Sequence, residues 1–209
     1  MRTEPAEANR KSVLREYAEA IIIALLLALF IRTFVVQAFK IPSGSMIPTL
    51  LIGDHILVNK FAYGVKNPVT GTIWVPVGEP RRGDVVVFKF PQNPDQDFIK
   101  RVIGIPGDVV QGIDKKVYVN GRLLADGPAV HLDPQMVPGG IQPRDTFGPL
   151  TVPPHALFVM GDNRDNSHDS RFWQFVDFRA VKGKAFMLYW SWDHDNFAVR
   201  WSRLGNLIH

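Results

Sequence analysis

One run of apolar residues dominates the first part of the chain. Residues 20–31 are twelve consecutive positions without a polar side chain, and the apolar character continues past Arg32 and Thr33 to residue 39. Twelve residues are too few to span a bilayer, which needs about 20, but the extension reaches that length with one charge near its end. The pattern predicts one transmembrane helix over residues 18–39, ending before Pro42 because a residue that precedes proline disfavours helical geometry.

The residues that flank this segment indicate whether it is cleaved or retained, and how it is oriented in the membrane. A cleaved signal sequence is the alternative, since Val36-Gln37-Ala38 resembles a cleavage site. Four glutamates lie upstream of the segment, however, whereas a signal peptide begins with a short basic region, so a retained anchor is favoured. The basic residues are biased towards the N-terminal side, which predicts a cytoplasmic tail at residues 1–17 and an exported domain at residues 40–209. They are Arg2, Arg10, Lys11 and Arg15 before the segment, against Arg32 and Lys40 after it.

Beyond residue 50 the apolar runs are short and separated by turn residues, which predicts a mainly β domain with antiparallel strands. Asn120-Gly121 is a two-residue hairpin signal. Residues 169–178 are predicted to form a helical turn or two, and residues 127–154 to form a long loop. Residues 73–77 are predicted to form a loop tip, with Trp74 expected to face lipid headgroups. The predicted strands are 55–59, 84–89, 98–103, 108–111, 117–119, 123–125, 156–160 and 184–190.

Composition excludes several classes of function. The chain has 209 residues and a net charge of +4, without a basic run, so binding to nucleic acid is not expected. It has no cysteine, which excludes a thiol nucleophile, thiolate metal sites and disulfides. If the protein is a hydrolase, a serine is the natural nucleophile. Ser45, in a turn rich in Pro, Gly and Ser just after the apolar segment, is the candidate.

The base that would activate Ser45 is open from the residues alone. A Ser-His-Asp triad is possible with six histidines in the chain, although adjacent residues such as His168 and Asp169 would point to opposite faces of a strand. A lysine can also serve, provided that burial lowers its pKa from about 10.4. Three lysines lie in apolar strand sequence, namely Lys60, Lys89 and Lys100. Lys100 shares a strand face with Phe98 and Val102, which favours desolvation. Lys89 likewise shares its face with Val85 and Val87, so strand alternation does not separate these two lysines.

Four sequence runs resemble those of the bacterial type I signal peptidases (leader peptidases). They are PSGSMIPTL at 42–50, RGDVVVF at 82–88, IKRVIGIPGD at 99–108 and GDNRDNSHDSR at 161–171. All four follow a membrane segment in the order found in that family. The resemblance implies a mainly antiparallel β-sheet catalytic domain, with one N-terminal transmembrane helix and an exposed apolar surface resting on the bilayer.

The resemblance also implies the roles of individual residues. Ser45 is expected to be the nucleophile and Lys100 the general base of a serine–lysine dyad. Ser43 would form the oxyanion hole with the Ser45 main-chain N–H, Ser167 would orient the lysine, and Asp169 with Arg171 would form a supporting ion pair. The expected walls of the substrate pocket are Phe39, Ile41, Pro42, Met46, Leu50, Phe98 and Ile99.

The implied reaction is cleavage of signal peptides after small residues at the first and third positions before the cut. The implied location is the bacterial cytoplasmic membrane, with a single pass and an extracytoplasmic catalytic domain. Signal peptides of exported pre-proteins, membrane lipids and the secretion translocon are the expected partners, and neither a cofactor nor a metal is expected. The aspartates at 162, 165 and 169 do not form an EF-hand calcium loop, which needs Gly at its sixth position and Glu at its twelfth. Counting from Asp162 or from Asp165 places Ser at the sixth position and Trp173 or Val176 at the twelfth.

Three other functions remain for comparison. The same motifs suit a specialised processing peptidase with few client proteins. A membrane-anchored scaffold, in which Ser45 and Lys100 are incidental, would lack activity altogether. A self-cleaving serine–lysine repressor would need a DNA-binding helix-turn-helix upstream, where this chain has an apolar segment instead.

Overall fold

A computed structural model describes residues 13–67, 72–125 and 127–209. Within these residues the chain forms two α-helices, α1 (Val13–Phe30) and α2 (Ser170–Trp173). The strands are β1 Val36–Lys40, β2 Asp54–Asn59, β3 Val65–Lys66, β4 Ile73–Val75, β5 Val85–Phe90, β6 Asn93–Gly104, β7 Val109–Ile113, β8 Lys116–Val119, β9 Arg122–Leu123, β10 Phe147–Thr151, β11 Ala156–Met160, β12 Val176–Asp177, β13 Val181–Asp193 and β14 Ala198–Val199.

A large antiparallel sheet holds most of these strands. Their order is β1-β2-β13-β5-β6-β11-β12, and β14 pairs with β13 beside this path. The valine-rich β5 lies in the middle, between β13 and β6. Val85 and Val87 enter the core on one face, while Val86 and Phe88 enter the core on the other. Burial on both faces explains why β5 is a continuous apolar run in the sequence rather than an alternating one.

Three core clusters fix the positions of the loops. The first lies beneath the turn at 41–50, where Ile41, Met46 and Leu50 pack with Ile56, Val58 and Leu188. The second covers the opposite face of β5 and contains aromatic side chains from β5 and α2. The third lies between the large sheet and a four-stranded sheet of order β10-β7-β8-β9. The turn that carries Ser45 is therefore seated on packed apolar side chains.

Most of the predicted β-structure is confirmed. Each of the eight predicted segments overlaps an observed strand, and residues 156–160 coincide with β11. The agreement is poorest at β9, which shares only Leu123 with the predicted segment. The Asn120-Gly121 hairpin is also confirmed: Val119 pairs with Arg122, and both turn residues have positive φ, 53° and 76°, as a type I′ turn requires.

The predicted end of the N-terminal helix is wrong. The helix α1 ends at Phe30, a π-helical turn covers Ile31–Val35, and residues 36–40 form β1 instead of helix. Pairing with β2, including Phe39 with Ile56, decides the conformation here, because cross-strand packing overrides local helical preference. The boundary between the predicted segments 18–39 and 40–209 therefore shifts to about residue 36.

The predicted N-terminal tail and transmembrane helix agree with the structure only in part. Residues 13–17, predicted to be tail, belong to α1, and residues 1–12 lie outside the described residues. In the part of the chain that the structure describes, no helix has both the length and the apolar character required to cross a membrane. The predicted transmembrane helix over 18–39 is thus not found. The large apolar side chains from Ile21 to Ile31 are nevertheless 42% to 64% exposed.

Two short strands lie where loops are predicted. The strand β10 falls inside the predicted loop at 127–154, and its Gly148 and Pro149 hide it from a strand pattern. A register shift between Phe147 and Leu150 accommodates these two residues, as in a β-bulge. The predicted loop tip around Trp74 is β4, which pairs with β3 and leaves Trp74 exposed.

Candidate active site

Ser45 lies in a tight turn that leaves the edge strand β1. Residues Gly44–Met46 form one turn of 3-10 helix, and the Leu50 N–H donates to the Met46 carbonyl at 2.9 Å. Just before the turn, the Ile41 N–H donates to the Asp54 carbonyl at 2.8 Å, which ties the loop to the start of β2. Ser45 is half-buried, so its hydroxyl lies at the boundary between the core and solvent.

Asn163 holds this turn from the opposite side. Its main-chain N–H donates to the Ser45 carbonyl at 3.1 Å, and its Nδ2 donates to the Gly44 carbonyl at 3.2 Å. Sequence reasoning gave Asn163 no role, although it lies in the 161–171 run that carries the resemblance. Gly161 makes the close approach possible, because a Cβ there would lie 2.4 Å from the Ser45 carbonyl oxygen.

Lys100 reaches the Ser45 hydroxyl from β6. Its Nζ lies 2.8 Å from Ser45 Oγ and 2.9 Å from the Ile99 carbonyl oxygen. The residue is only 4% exposed, and its Nζ lies 5.3 Å from the centre of the Phe98 ring. The Phe98 ring, which was predicted to share a strand face with Lys100, lies next to this buried amine.

The surroundings of Lys100 change its protonation. Burial, the largest effect, lowers the pKa of Lys100 from 10.5 to about 8, because the charged ammonium loses its hydration. The Asp169 carboxylate opposes this lowering, the Arg171 guanidinium adds to it, and the Asp162 carboxylate opposes it. A substantial fraction of the amine is then neutral near pH 8, and a neutral amine within hydrogen-bond distance of a hydroxyl can accept its proton.

Asp169 and Arg171 form the expected ion pair. Arg171 Nε and Nη2 donate to the two carboxylate oxygens at 2.8 and 2.9 Å, and both side chains are almost completely buried. Burial by itself would raise the pKa of Asp169, but the charge and hydrogen bonds of Arg171 lower it. Asp169 also caps α2 and accepts the Gly161 N–H at 3.0 Å, and Arg171 Nη1 donates to the Arg144 carbonyl at 2.7 Å.

A second buried ion pair lies on the other face of β6. Arg101 points away from Lys100, as strand alternation predicts, and its guanidinium donates twice to the Asp162 carboxylate at 2.8 and 2.7 Å. Asp162 accepts the Thr49 hydroxyl at 2.5 Å, which links this pair to the loop carrying Ser45. Sequence reasoning missed the contribution of Arg101, Asp162 and Thr49. The only sequence feature that could have indicated these three residues is that each lies in one of the four runs shared with the signal peptidases.

The two remaining hydroxyls occupy different environments. Ser43 is exposed in extended conformation immediately before the turn, and its side chain caps nothing there. Ser167 is buried, and its Oγ has no hydrogen-bond partner of ordinary geometry among the described residues, although it lies close enough to Asp169 to help lower that pKa. A bond from Ser167 to Lys100, expected from the resemblance, is not formed. A Cβ on Gly161 would lie 2.3 Å from Ser167 Oγ, so this hydroxyl and the Ser45 carbonyl pack against the same glycine.

The predicted pocket residues separate into three groups. Ile41, Met46 and Leu50 are at most 2% exposed and belong to the core beneath the turn, so their side chains are not accessible in this structure. The accessible members are Pro42, which is exposed, and Phe39 and Ile99, which are half-buried at the edge of the same cluster. Phe98 belongs to the opposite core cluster, where its ring stacks on Phe90 at 4.3 Å.

Within the described residues, none of the alternative bases forms a hydrogen bond to Ser45. Lys60 donates to the Thr33 carbonyl, and Lys89 is exposed on β5. All six histidines lie within the described residues, and none of them hydrogen-bonds to Ser45; His168 instead contacts the rings of Phe90 and Phe172. The three aspartates of the rejected calcium motif face three different cations: Asp162 faces Arg101, Asp165 faces Lys115 and Asp169 faces Arg171.

Comparison with known proteins gives a consistent result. The family described as "Signal peptidase, peptidase S26" matches residues 14–190. A signal peptidase I from Pseudomonas aeruginosa is 40% identical over 235 residues, which cover 96% of this chain and 81% of that protein. A signal peptidase I from Aquifex aeolicus is 37% identical and covers 85% of each chain.

A solved structure is also similar in sequence. The crystal structure of a signal peptidase I from Enterococcus faecalis V583 is 33% identical, with a TM-score of 0.40 over 52% of this chain and 97% of that one. The matched family covers most of the chain, and the two curated relatives exceed 30% identity across most of their own length. This chain therefore belongs to the signal peptidase family, peptidase S26, and is a signal peptidase enzyme.

Proposed function

We propose that this signal peptidase cleaves its substrates through an acyl-enzyme formed on Ser45, with Lys100 as the general base. One observation carries the proposal: a buried amine with a pKa of about 8 lies 2.8 Å from the Ser45 hydroxyl. Nucleophile and base in mutual hydrogen-bond reach are the arrangement that nucleophilic catalysis requires.

The proposed reaction has two halves. Neutral Lys100 takes the proton of Ser45 Oγ as the oxygen attacks the scissile carbonyl carbon, and the resulting ammonium gives that proton to the departing amine. The bond between carbon and nitrogen breaks, which leaves the signal peptide as an ester on Ser45. Lys100, neutral again, takes a proton from a water molecule that attacks the ester. The proton returns to Ser45 Oγ as the signal peptide leaves with a free carboxylate.

The neighbouring groups have positioning roles in this proposal. Asn163 binds the Gly44 and Ser45 carbonyls, which lie on either side of the Ser45 Cα, and so sets the direction of the hydroxyl. The Asp169–Arg171 pair presents nearly balanced charges to Lys100, which supports a pKa near the working pH. Ser167 is proposed to orient the amine after rotation of its side chain, since its Oγ has no other partner of ordinary geometry among the described residues.

Ser43 is proposed to stabilise the oxyanion together with the Ser45 main-chain N–H. Its hydroxyl is exposed two residues before the nucleophile and is free to turn towards a bound carbonyl oxygen. A donor aimed at the developing negative charge contributes more in the transition state than in the ground state.

The preference for small residues before the cut is also a proposal. The accessible side chains around Ser45 are Phe39, Pro42 and Ile99, while Met46 and Leu50 fill the floor beneath them. Bulky apolar walls over a closed floor leave room for small substrate side chains only. The edge strand β1, which ends just before the nucleophile loop, could pair with an extended substrate.

We also propose that α1 attaches the enzyme to the bacterial cytoplasmic membrane. The apolar side chains from Ile21 to Ile31 are exposed, and soluble proteins rarely expose contiguous apolar surface of this extent. The excess of basic residues before the apolar segment favours a cytoplasmic N-terminus and an extracytoplasmic catalytic domain. The clients would be exported pre-proteins delivered by the secretion translocon.

The dyad is tested by removing each member separately. We expect Ser45→Ala and Lys100→Ala each to lower the cleavage rate of a pre-protein by at least about a thousand-fold, because neither member can act alone. Ser202→Ala and Lys89→Ala, at exposed positions away from the site, are the matched controls and should retain full activity. Retention of substantial turnover by either dyad variant, with unchanged thermal unfolding, would falsify the assignment.

The oxyanion role is tested by Ser43→Ala. We expect kcat to fall by about a hundred-fold or more while KM changes by less than about two-fold, since the donor acts in the transition state. Steady-state kinetics on a peptide substrate measure both constants, with Ser202→Ala as the control. An unchanged kcat, or a loss confined to KM, would remove Ser43 from the oxyanion hole.

The membrane arrangement is tested by labelling single cysteines, which this cysteine-free chain allows. In intact spheroplasts a membrane-impermeant maleimide should label Trp74→Cys, because β4 would face the extracytoplasmic side. Tyr17→Cys should be labelled only after the membrane is permeabilised. Labelling of both sites in intact spheroplasts, or of Tyr17→Cys alone, is incompatible with the proposed topology.

A further inference from the structure

Lys60 is half-buried yet takes no part in the dyad. Its Nζ donates a hydrogen bond to the main-chain carbonyl of Thr33, 27 residues earlier in the sequence. Thr33 belongs to the π-helical turn Ile31–Val35 that ends the N-terminal helical segment. The bond therefore joins the catalytic domain directly to the end of that segment.

The strand register explains why Lys60 reaches this carbonyl. In the β1–β2 ladder the last pair is Val36 with Asn59, and Lys60 is the next residue beyond it. The ladder thus leaves Lys60 beside the last helical turn. Carbonyl groups in the last turn of a helix lack intrahelical partners, and the partial negative charge at that end favours a cation. A lysine there satisfies both requirements.

Little else in the structure directs α1. Its large apolar side chains are 53% to 64% exposed from Ile21 to Phe30, so that part of the helix projects from the domain without burying its surface. The direction of a helix that projects in this way is set where it joins the domain. That junction consists of the π-helical turn, the start of β1 and the Lys60 contact.

The surroundings of Lys60 disfavour its positive charge, and the Thr33 carbonyl compensates by accepting a hydrogen bond from the ammonium. Burial, and then the nearby Lys182 ammonium, lower the pKa of Lys60. Lys182 is held in place by Asp97 at 2.7 Å and lies 5.7 Å from the centre of the Phe39 ring. A cation brought near another cation and partly out of water needs an acceptor, and the Thr33 carbonyl supplies it.

We propose that Lys60 is a positioning residue that fixes the angle between α1 and the catalytic domain through its bond to the Thr33 carbonyl. This proposal rests on the proposed function, in which α1 attaches the enzyme to the membrane at which exported pre-proteins are delivered. With the angle fixed, Ser45 is held at one height and orientation relative to the membrane surface. Without it, the domain samples many orientations, and a membrane-bound cleavage site meets the dyad less often. A short peptide free in solution approaches the dyad regardless of that angle.

Kinetics on two substrates test the proposal with the full chain reconstituted in vesicles of phosphatidylethanolamine and phosphatidylglycerol. The substrates are a membrane-embedded pre-protein and a soluble peptide containing the same cleavage site. We expect Lys60→Met to cleave the embedded pre-protein about five-fold more slowly, the soluble peptide at the wild-type rate, and to unfold at the wild-type temperature. Lys60→Arg, which keeps a donor and a charge, should restore cleavage of the pre-protein. Lys89→Met, which removes an exposed lysine of the same domain, should behave as wild type.

A distance measurement tests the same proposal without reference to activity. Spin labels on Leu27→Cys in α1 and Leu123→Cys in β9, both exposed, report the orientation of the helix relative to the domain. We expect a narrow distance distribution in the parent protein, a broad one after Lys60→Met, and a narrow one after Lys60→Arg or Lys89→Met.

The outcomes separate this proposal from the proposed function. An unchanged distance distribution in Lys60→Met overturns the positioning role, as does an equal loss of activity towards both substrates. In either case cleavage by the wild type still shows peptidase activity, and Ser45→Ala and Lys100→Ala test the dyad independently. If the wild type cleaves neither substrate, the proposed function fails, and the role of Lys60 fails with it.

Discussion

A primary amine kept out of water beside a serine hydroxyl is the contact on which the proposed chemistry depends. An unperturbed lysine is neutral in only about four molecules in ten thousand at pH 7, whereas a pKa of about 8 leaves about a tenth of Lys100 neutral. The difference is produced mainly by burial of the Lys100 side chain, whose Nζ lies 5.3 Å from the centre of the Phe98 ring. A small loosening of this packing would admit water, return the amine to its charged form and remove the base.

The ion pairs around the dyad balance this burial. Because neighbouring residues of β6 point to opposite faces, Lys100 and Arg101 each face the segment 161–171 from a different side. That segment supplies Asp162 to Arg101 and Asp169 to Arg171, and between them Asn163 binds the turn that carries Ser45. One stretch of eleven residues therefore holds the turn that carries Ser45 and supplies the charges around the Lys100 amine. A buried charge without its partner would be strongly destabilising, which makes the segment intolerant of change as a unit.

The strands and the contact between Lys100 and Ser45 differ in how far the sequence could predict them. Apolar runs such as 156–160 and the Asn120-Gly121 turn have local sequence patterns that the tertiary structure does not override. The β-domain could therefore be predicted from the residues alone. Strand alternation placed Lys100 on the face of Phe98 but did not separate it from Lys89, and only the resemblance to a known family decided between them. The contact of Lys100 with Ser45 spans 55 residues and no local pattern contains it.

The failures have a common origin in tertiary pairing. Residues 36–39 continue an apolar helical pattern, yet β2 recruits them into the large sheet. The strand β10 was hidden by Gly148 and Pro149, which local rules assign to loops. Asn163 and Thr49 acquired their roles only when distant segments met, because a polar side chain in a loop gives no sign of which carbonyl or carboxylate it will bind.

The proposed role of Lys100 as a general base is tested most directly by its protonation state in the folded enzyme. Its side chain can be titrated by nuclear magnetic resonance in protein labelled at the lysine side-chain carbons, with kcat/KM for a peptide measured over the same pH range. We expect a midpoint near pH 8, with the ammonium below it and the neutral amine above it, and a rate that rises with pH through the same midpoint. A Lys100 that titrates above about pH 10, as free lysine does, while the enzyme is fully active at neutral pH, would contradict this role.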